Sequence, residues 1–243
     1  MAVCAQATRR SPLRTQVQDQ PYSGVENLET MAAAKNYNCY LLAEVRKHAC
    51  SGARVLDFGA GAGQFAVPMS RGFDLTAVEL DEELHHHLVG QGVRAVRHLA
   101  ELPDGAFDYV YSLNVLEHIE DDLTVLTELR KKLKRAGQVV IYVPAWPLLY
   151  TSMDRKVGHV RRYTRKTLVA KVVAAGFKVE RVRYVDSLGY FATLLFKLLG
   201  NDGGDINKNA LIAYDRLVFP ISRLLDRVVG RWLGKNVLLV GGV

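Results

Sequence analysis

Residues 55–63 read Val-Leu-Asp-Phe-Gly-Ala-Gly-Ala-Gly, an apolar run that leads directly into three glycines at alternate positions. Glycine turns tightly at positive φ and lets the backbone approach a ligand with no Cβ in the way. From about Gln64 the residues suit a helix, whose first N–H groups lack intrahelical partners and can face an anionic group. Strand, glycine turn and helix in that order open a βαβ unit, which restricts the fold to sheets built from such units.

The chain continues in kind. Residues 54–58, 75–79, 93–96, 107–111 and 139–143 are short apolar runs, read as five strands. Between the fourth and fifth, Leu116, Ile119, Leu123, Leu126, Leu129 and Leu133 recur every three or four residues and mark one helix face. A helix over 165–175, ended by Gly176, leads to a sixth strand at 177–185, and residues 236–240 supply a last one. This alternation predicts an α/β fold with a doubly wound, mostly parallel sheet and helices on both faces. Residues 188–235 break the rhythm; Leu211, Tyr214, Val218, Ile221, Leu225 and Val228 mark a helix there that Pro220 can kink, and the segment reads as a helical cap before the last strand. Residues 1–20, polar and rich in Arg and Gln, read as a mobile tail, and 21–243 as a single domain.

Two carboxylates sharpen the glycine turn. Glu79 closes the second strand, 20 residues beyond Gly59, where a carboxylate can accept two hydrogen bonds from a ribose diol. Asp57, just before the turn, can face an ammonium group. A dinucleotide fingerprint spaces its glycines as G-x-G-x-x-G and seldom needs an acid at that place. S-adenosylmethionine carries an amine, a carboxylate and a ribose. Asp57, the turn from Phe58 through Gly59, Ala60, Gly61 and Gly63 to Gln64, and Glu79 with Leu80 match it part by part. The competing reading is a plain strand-to-helix turn with a solvated Asp and Glu.

With these residues, the segment Phe107-Asp108-Tyr109-Val110 and the run Leu113-Asn114-Val115-Leu116-Glu117-His118-Ile119, the chain resembles the class I S-adenosylmethionine-dependent methyltransferases over about residues 35–185. The resemblance implies a Rossmann-like seven-stranded sheet of order 3-2-1-4-5-7-6, with the last strand antiparallel, and S-adenosylmethionine as cofactor. It implies that Leu113 and Asn114 line the methionine moiety and that His118 sits at the pocket edge. Relatives place an acid after the third strand to read the adenine amine; here that loop is Arg97-His98-Leu99-Ala100-Glu101, so Glu101, or the backbone of Leu99 and Ala100, takes that part. A narrower resemblance, to a methyltransferase subgroup that accompanies polyprenyl-phosphate glycosyltransferases, rests on Asn36-Tyr37-Asn38 and on Asp154-Arg155-x-x-Gly158-His159-x-Arg161-Arg162-Tyr163-Thr164. It suggests a lipid-linked or anionic substrate.

On the substrate side, Arg155, His159, Arg161 and Arg162 follow the fifth strand, at the edge where open α/β sheets bind ligands. Paired guanidinium groups suit a carboxylate or phosphate; the same arginines also suit structural ion pairs with Asp154, Glu180 and helix ends. Tyr37, Tyr150 and Tyr163 can close over a sulfonium, and Asn36 accompanies Tyr37. His118, His159 and Tyr37 are the candidates around the reacting groups, the two histidines as proton acceptors. His85-His86-His87 point in different directions on a helix and read as surface, so no metal is expected.

The chain has 32 Lys and Arg against 25 Asp and Glu, a net +7, dispersed over helix faces and not interleaved with stacking aromatics. Residues 112–115, Ser-Leu-Asn-Val, lack the motifs that hold a flipped base, so nucleic acid is not expected as a partner. Three cysteines without CxxC spacing fit a reducing, cytoplasmic setting; the N-terminus lacks a secretory h-region, and no apolar run is long enough to span a membrane. The apolar 188–235 segment, with Lys197, Arg216, Arg223 and Arg227 interspersed, suits either burial against the sheet or peripheral contact with a bilayer surface. The function expected is methyl transfer to a small or lipid-linked, anionic acceptor. The alternative is an enzyme that consumes S-adenosylmethionine without an external acceptor, releasing methylthioadenosine. The acceptor atom and the oligomeric state stay open.

Overall fold

The strand after α1 (Lys35–Arg46) is β1 (Arg54–Phe58), whose middle residues are buried on both faces, as a central parallel strand requires. The computed structural model describes residues 30–199 and 207–243; the tail expected over residues 1–20 lies outside them. After β1 come α2 (Ala66–Ser70), β2 (Asp74–Val78), α3 (Glu82–Gly90), β3 (Arg94–Val96), β4 (Phe107–Leu113), α4 (Asp122–Lys132) and β5 (Leu133–Pro144). Then follow α5 (Ser152–Lys156), α6 (Arg165–Ala174), β6 (Lys178–Val185), α7 (Ser187–Leu199), α8 (Lys208–Ala213), α9 (Phe219–Val229) and β7 (Asn236–Gly242).

The seven strands make one sheet in the order β3-β2-β1-β4-β5-β7-β6. β1 pairs in parallel with β2 and β4, β2 with β3 and β4 with β5, while β7 runs antiparallel between β5 and β6. This is the order the family resemblance implied. The strands' period-2 alternation divides the core between the faces. Val55, Tyr109, Tyr111, Val140 and Tyr142 pack with Tyr40, Leu41, Met69 and Leu88 on one side. Leu56, Val110, Val139 and Ile141 pack with Leu126, Leu129, Leu168 and Val172 on the other.

Two expectations need correction. The periodic leucines of 116–133 do not form one helix. A 3-10 turn, Leu116–His118, is separated from α4 by a break at which the Asp121 side chain accepts the Thr124 N–H (3.1 Å), and Leu133 already begins β5. Short-range bonding at Asp121 starts a new helix, which apolar spacing does not register. In the cap, α8 runs through a π-helical stretch, Tyr214–Val218, into α9, with Pro220 at the start of α9. Of the residues that marked this helix, Ile221, Leu225 and Val228 are exposed, so the reading of burial against the sheet does not hold for them, whereas Asp215, Phe219, Ser222 and Asp226 are buried.

Buried carboxylates fasten this cap. Asp226 accepts the N–H groups of Asp186 (2.7 Å) and Ser187 (2.8 Å), and so serves the start of α7. Asp186 accepts from the Gly189 N–H, the Tyr214 hydroxyl and the Ser222 hydroxyl at 3.1, 2.6 and 2.8 Å. A Cβ on Gly189 would stand 2.1 Å from Asp186 Oδ2, so that position needs glycine. Asp215 reaches the other end of the chain, accepting the N–H groups of Asn36 (2.9 Å) and Tyr37 (2.8 Å) in the first turn of α1. Its backbone carbonyl accepts the Asn36 side-chain amide at 2.8 Å.

Candidate functional site

The carboxyl ends of β1, β2, β4 and β5 open into one long cleft, roofed by α7, α8 and the start of α1, where doubly wound sheets bind ligands. It measures about 2880 Å³, against roughly 300–1,000 Å³ for a single small-molecule site.

One end is the glycine turn. Gly59, Gly61 and Gly63 have φ of 81°, 55° and 85°, and the Gly59 and Ala60 N–H groups donate to the Val78 carbonyl at 2.9 and 3.2 Å. A Cβ on Gly59 would lie 2.4 Å from Val115 Cγ2, so β1's exit and the turn after β4 can meet only over a glycine. Glu79 lies on the cleft wall. It accepts the Gly61 N–H through Oε2 (2.6 Å) and the Asp81 N–H through Oε1 (3.0 Å), leaving each oxygen further capacity, and burial raises its pKa. Phe58, Leu80 and Leu99 add apolar wall beside it, and Ala60, Gln64 and Ala100 also face the cleft. Glu101 accepts the His98 N–H at 2.7 Å and is not on the wall, so Leu99 and Ala100 remain of the two expectations for adenine. Acid, backbone turn and flat apolar wall fit an adenosyl group with an amino-acid tail.

Asp57 differs from its expected place. It is buried beneath the turn, off the cleft wall, and accepts the Tyr111 hydroxyl at 2.8 Å. Burial pushes its carboxyl up to about 7, the Tyr111 hydrogen bond opposing and the Glu79 charge adding to that. Gly63 shapes the turn from behind, a Cβ there meeting Leu88 at 2.8 Å.

Leu113, Asn114 and Tyr37 lie together on the cleft wall, with Tyr37 hydrogen-bonded to Asn114. Asn114 adopts φ 56°, a left-handed conformation Asn tolerates, and its N–H donates to the Tyr142 carbonyl at 2.7 Å. Tyr37 packs edge-on against Phe219, with centroids 5.6 Å apart, and burial pushes its hydroxyl up to about 12. Asn36 is not on the cleft wall; its amide groups hold Asp215 and so set the start of α1 beneath Tyr37.

The far end gathers Glu117, His118 and His159. The two imidazoles meet edge to face at 4.7 Å. One donor atom from each of the three residues falls within 4.8 Å of the others, a set that could hold a proton or a divalent ion. Glu117 is fully buried, and neither carboxylate oxygen has a hydrogen-bond partner. Burial pushes its pKa up to about 8 and, with the neighbouring His159, brings His118 down to about 4. His159 Nδ1 lies 2.7 Å from Asp154 Oδ1, and its Nε2 lies 3.8 Å from Glu117 Oε1. Asp154 is held ionised, its pKa driven well below the carboxylate range by the His159 and Arg162 hydrogen bonds against the effect of burial. A proton on His159 Nδ1, facing that charge, would leave Nε2 as the accepting nitrogen.

Arg161, Arg162 and the remaining tyrosines are spent on structure. Arg162 reaches the cleft wall, but its guanidinium forks onto Asp154 (Nε to Oδ1 2.8 Å, NH2 to Oδ2 2.9 Å). Arg161 pairs with Asp122 (2.8 Å) and Glu120 (3.3 Å), and Arg155 is an exposed residue of α5; neither is on the cleft wall. Tyr163 is buried with its hydroxyl donating to Asp122 at 2.6 Å, and Tyr150 donates to the His159 carbonyl at 2.6 Å. Both lie off the cleft wall, placing the His159 loop and not a ligand. Sequence reasoning passed over Glu117 and Lys235, which line the cleft; the one acid in the apolar run 113–119 was the available signal for Glu117.

A methyltransferase-domain family model matches residues 31–182. A ubiquinone biosynthesis O-methyltransferase of Dechloromonas aromatica is 36% identical over 102 residues, 37% of this chain and 44% of that protein. The chain thus matches less than half the length of that relative. A probable S-adenosylmethionine-dependent methyltransferase of Mycolicibacterium smegmatis is 30% identical over 175 residues, 65% of this chain and 63% of that one. The crystal structure of a Thermotoga maritima S-adenosylmethionine-dependent methyltransferase, described as a possible histamine N-methyltransferase, superposes with a TM-score of 0.62 at 19% identity. That superposition covers 89% of this chain and 94% of the other, and shows the shared fold.

Proposed function

Since the chain belongs to the class I S-adenosylmethionine-dependent methyltransferases, we propose that it transfers a methyl group to a small or lipid-linked acceptor held between the sheet edge and the helical cap. The observation that carries this reading is the single cleft that joins the Glu79 end to the Glu117, His118 and His159 end. Its size accommodates an acceptor beside the cofactor, where an enzyme acting on the cofactor alone needs only one compartment.

Bound S-adenosylmethionine supplies a methyl carbon already activated by its sulfonium. The chain's residues then have to hold, align and dehydrate the partners. Glu79 fixes the glycine turn through Gly61 and would accept from the ribose hydroxyls. Leu80, Leu99 and Ala100 would hold the base, and Leu113, Asn114 and Tyr37 the methionine end. His159 accepts the proton that the acceptor releases at Nε2, oriented through Nδ1 by Asp154. His118, neutral through burial, and Glu117, protonated below about pH 8, keep that end of the cleft uncharged until the acceptor binds. With Arg161 and Arg162 engaged by carboxylates, Lys235 is an amine on the cleft wall that an anionic acceptor would meet, and the pairing would offset the burial that lowers its pKa.

Calorimetry with S-adenosylmethionine tests the binding half: Glu79→Ala weakens affinity about tenfold or more, the loss of charge-assisted hydrogen bonds. Unchanged affinity contradicts the ribose assignment. Incubation with cofactor alone tests the reaction half. S-adenosylhomocysteine that forms only when an acceptor is added supports methyl transfer, and methylthioadenosine from cofactor alone overturns it. Turnover that persists in a chelator supports proton transfer at His159, whereas loss restored by a divalent ion assigns the three side chains to that ion.

A further inference from the structure

Helix α9 is amphipathic the wrong way round for a helix that merely covers a sheet. Its buried stripe, continued back into the π-helical stretch, is Asp215, Phe219, Ser222 and Asp226, three of them polar. Its apolar stripe of Ile221, Leu224 and Val228 points away from the core, with Leu224 61% and Val228 69% exposed and Trp232 just beyond at 66%. Ordinarily the apolar stripe is the one that is buried. The neighbouring α7, which packs on α9, repeats the arrangement: Gly189, Ala192, Thr193 and Phe196 line the cleft, while Phe191, Leu195 and Leu198 on its other side are exposed. Scattered exposed leucines need no explanation; two adjacent helices with outward apolar stripes do.

The charges beside these stripes have one sign. Arg216, Arg223 and Arg227 recur along one flank of α9, followed by Arg231, and all four are exposed. Among the described residues of 187–233 the carboxylates are Asp215 and Asp226, both buried and occupied with backbone N–H groups of α1 and α7. Among the described residues, the outer faces of α7 and α9 therefore present apolar side chains bordered by arginines with no exposed acid on either helix. A protein partner of mixed charge has no need of that pattern; an anionic lipid surface matches both parts, acyl chains for the leucines and headgroups for the arginines.

We propose that the outer faces of α7 and α9 dock this protein on the surface of an anionic bilayer. The inference does not rest on methyl transfer, because it concerns the face of the cap opposite the cleft. No helix among the described residues is long and apolar enough to cross a membrane, so the contact is peripheral. The test is co-sedimentation of the full chain with vesicles of phosphatidylcholine alone and of phosphatidylcholine with phosphatidylglycerol, at low and high salt. Roughly tenfold more binding to the anionic vesicles at low salt is expected, lost in Leu224→Glu/Leu198→Glu and reduced about tenfold in Arg216→Gln/Arg227→Gln. S-adenosylmethionine affinity checks that each variant is folded, and the arginine pair keeps the apolar face intact. Equal binding to neutral and anionic vesicles, or binding that both variants retain, overturns the proposal. So does a dimer in light scattering that the leucine variants dissolve, which would assign the face to a second copy of the chain.

Discussion

At Asp57 and Glu117 burial fixes the charge state, and this has a measurable sign. Both carboxyls hold their protons more firmly in the folded chain, up to about 7 and about 8, than the ordinary carboxylate does near 4 in an unfolded one. The stability they contribute is complete below the ordinary range and is lost as pH rises through those values. The thermal midpoint should accordingly fall between about pH 5 and pH 8, and Glu117→Gln should flatten the slope. A native midpoint that is level across that window contradicts the assignment. At this scale the sequence exposed whatever depends on spacing along the chain: the glycines, Glu79, and Leu113 with Asn114. It hid whatever depends on the residue lying opposite. Asp57 turned toward Tyr111, and Arg161 and Arg162 toward Asp122 and Asp154, because an unpaired buried charge costs more than a cleft contact returns.

Among the elements, the starts of α1 and α7 are held by carboxylates from remote helices, Asp215 and Asp226. Removing Asp226 leaves two amides without their acceptor, so Asp226→Ala should cost about 2 kcal/mol or more in urea unfolding, with Asp226→Asn recovering part of it. A midpoint unchanged by Asp226→Ala contradicts that anchoring. Buried parallel strands were legible because they are short, mostly apolar runs that end in turns; β1 keeps its expected bounds, 54–58. The helix read over 116–133 failed because its leucines serve three elements in succession, the 3-10 turn, α4 and β5. The apolar stripe in α9 was read as suiting either the sheet or a bilayer surface and is exposed, since periodicity reports that a face exists and not what covers it.

For the molecule as a whole, the two ends of the cleft are built from segments far apart in sequence and closed by the cap. A cofactor that binds only the folded chain stabilises it by mass action, by about 2.7 kcal/mol at a hundredfold excess over Kd. For a chain of this length that corresponds to a rise in Tm of roughly 5–10 °C, which Glu79→Ala should largely abolish. A thermal scan that shows no shift would contradict cofactor binding at the turn. Sheet order was legible through the family resemblance that the glycine turn and residues 113–119 carry; the roof was not, because it depends on carboxylates meeting amides across 179 and 178 residues of chain. That last contact makes the two ends of the polypeptide move together. While Asp215 grips them, the amides of Asn36 and Tyr37 are shielded from deuterium, and they exchange only when the helices above them lift. Two backbone positions at the head of α1 thus form a clock for how often the roof opens, readable with no probe attached to it.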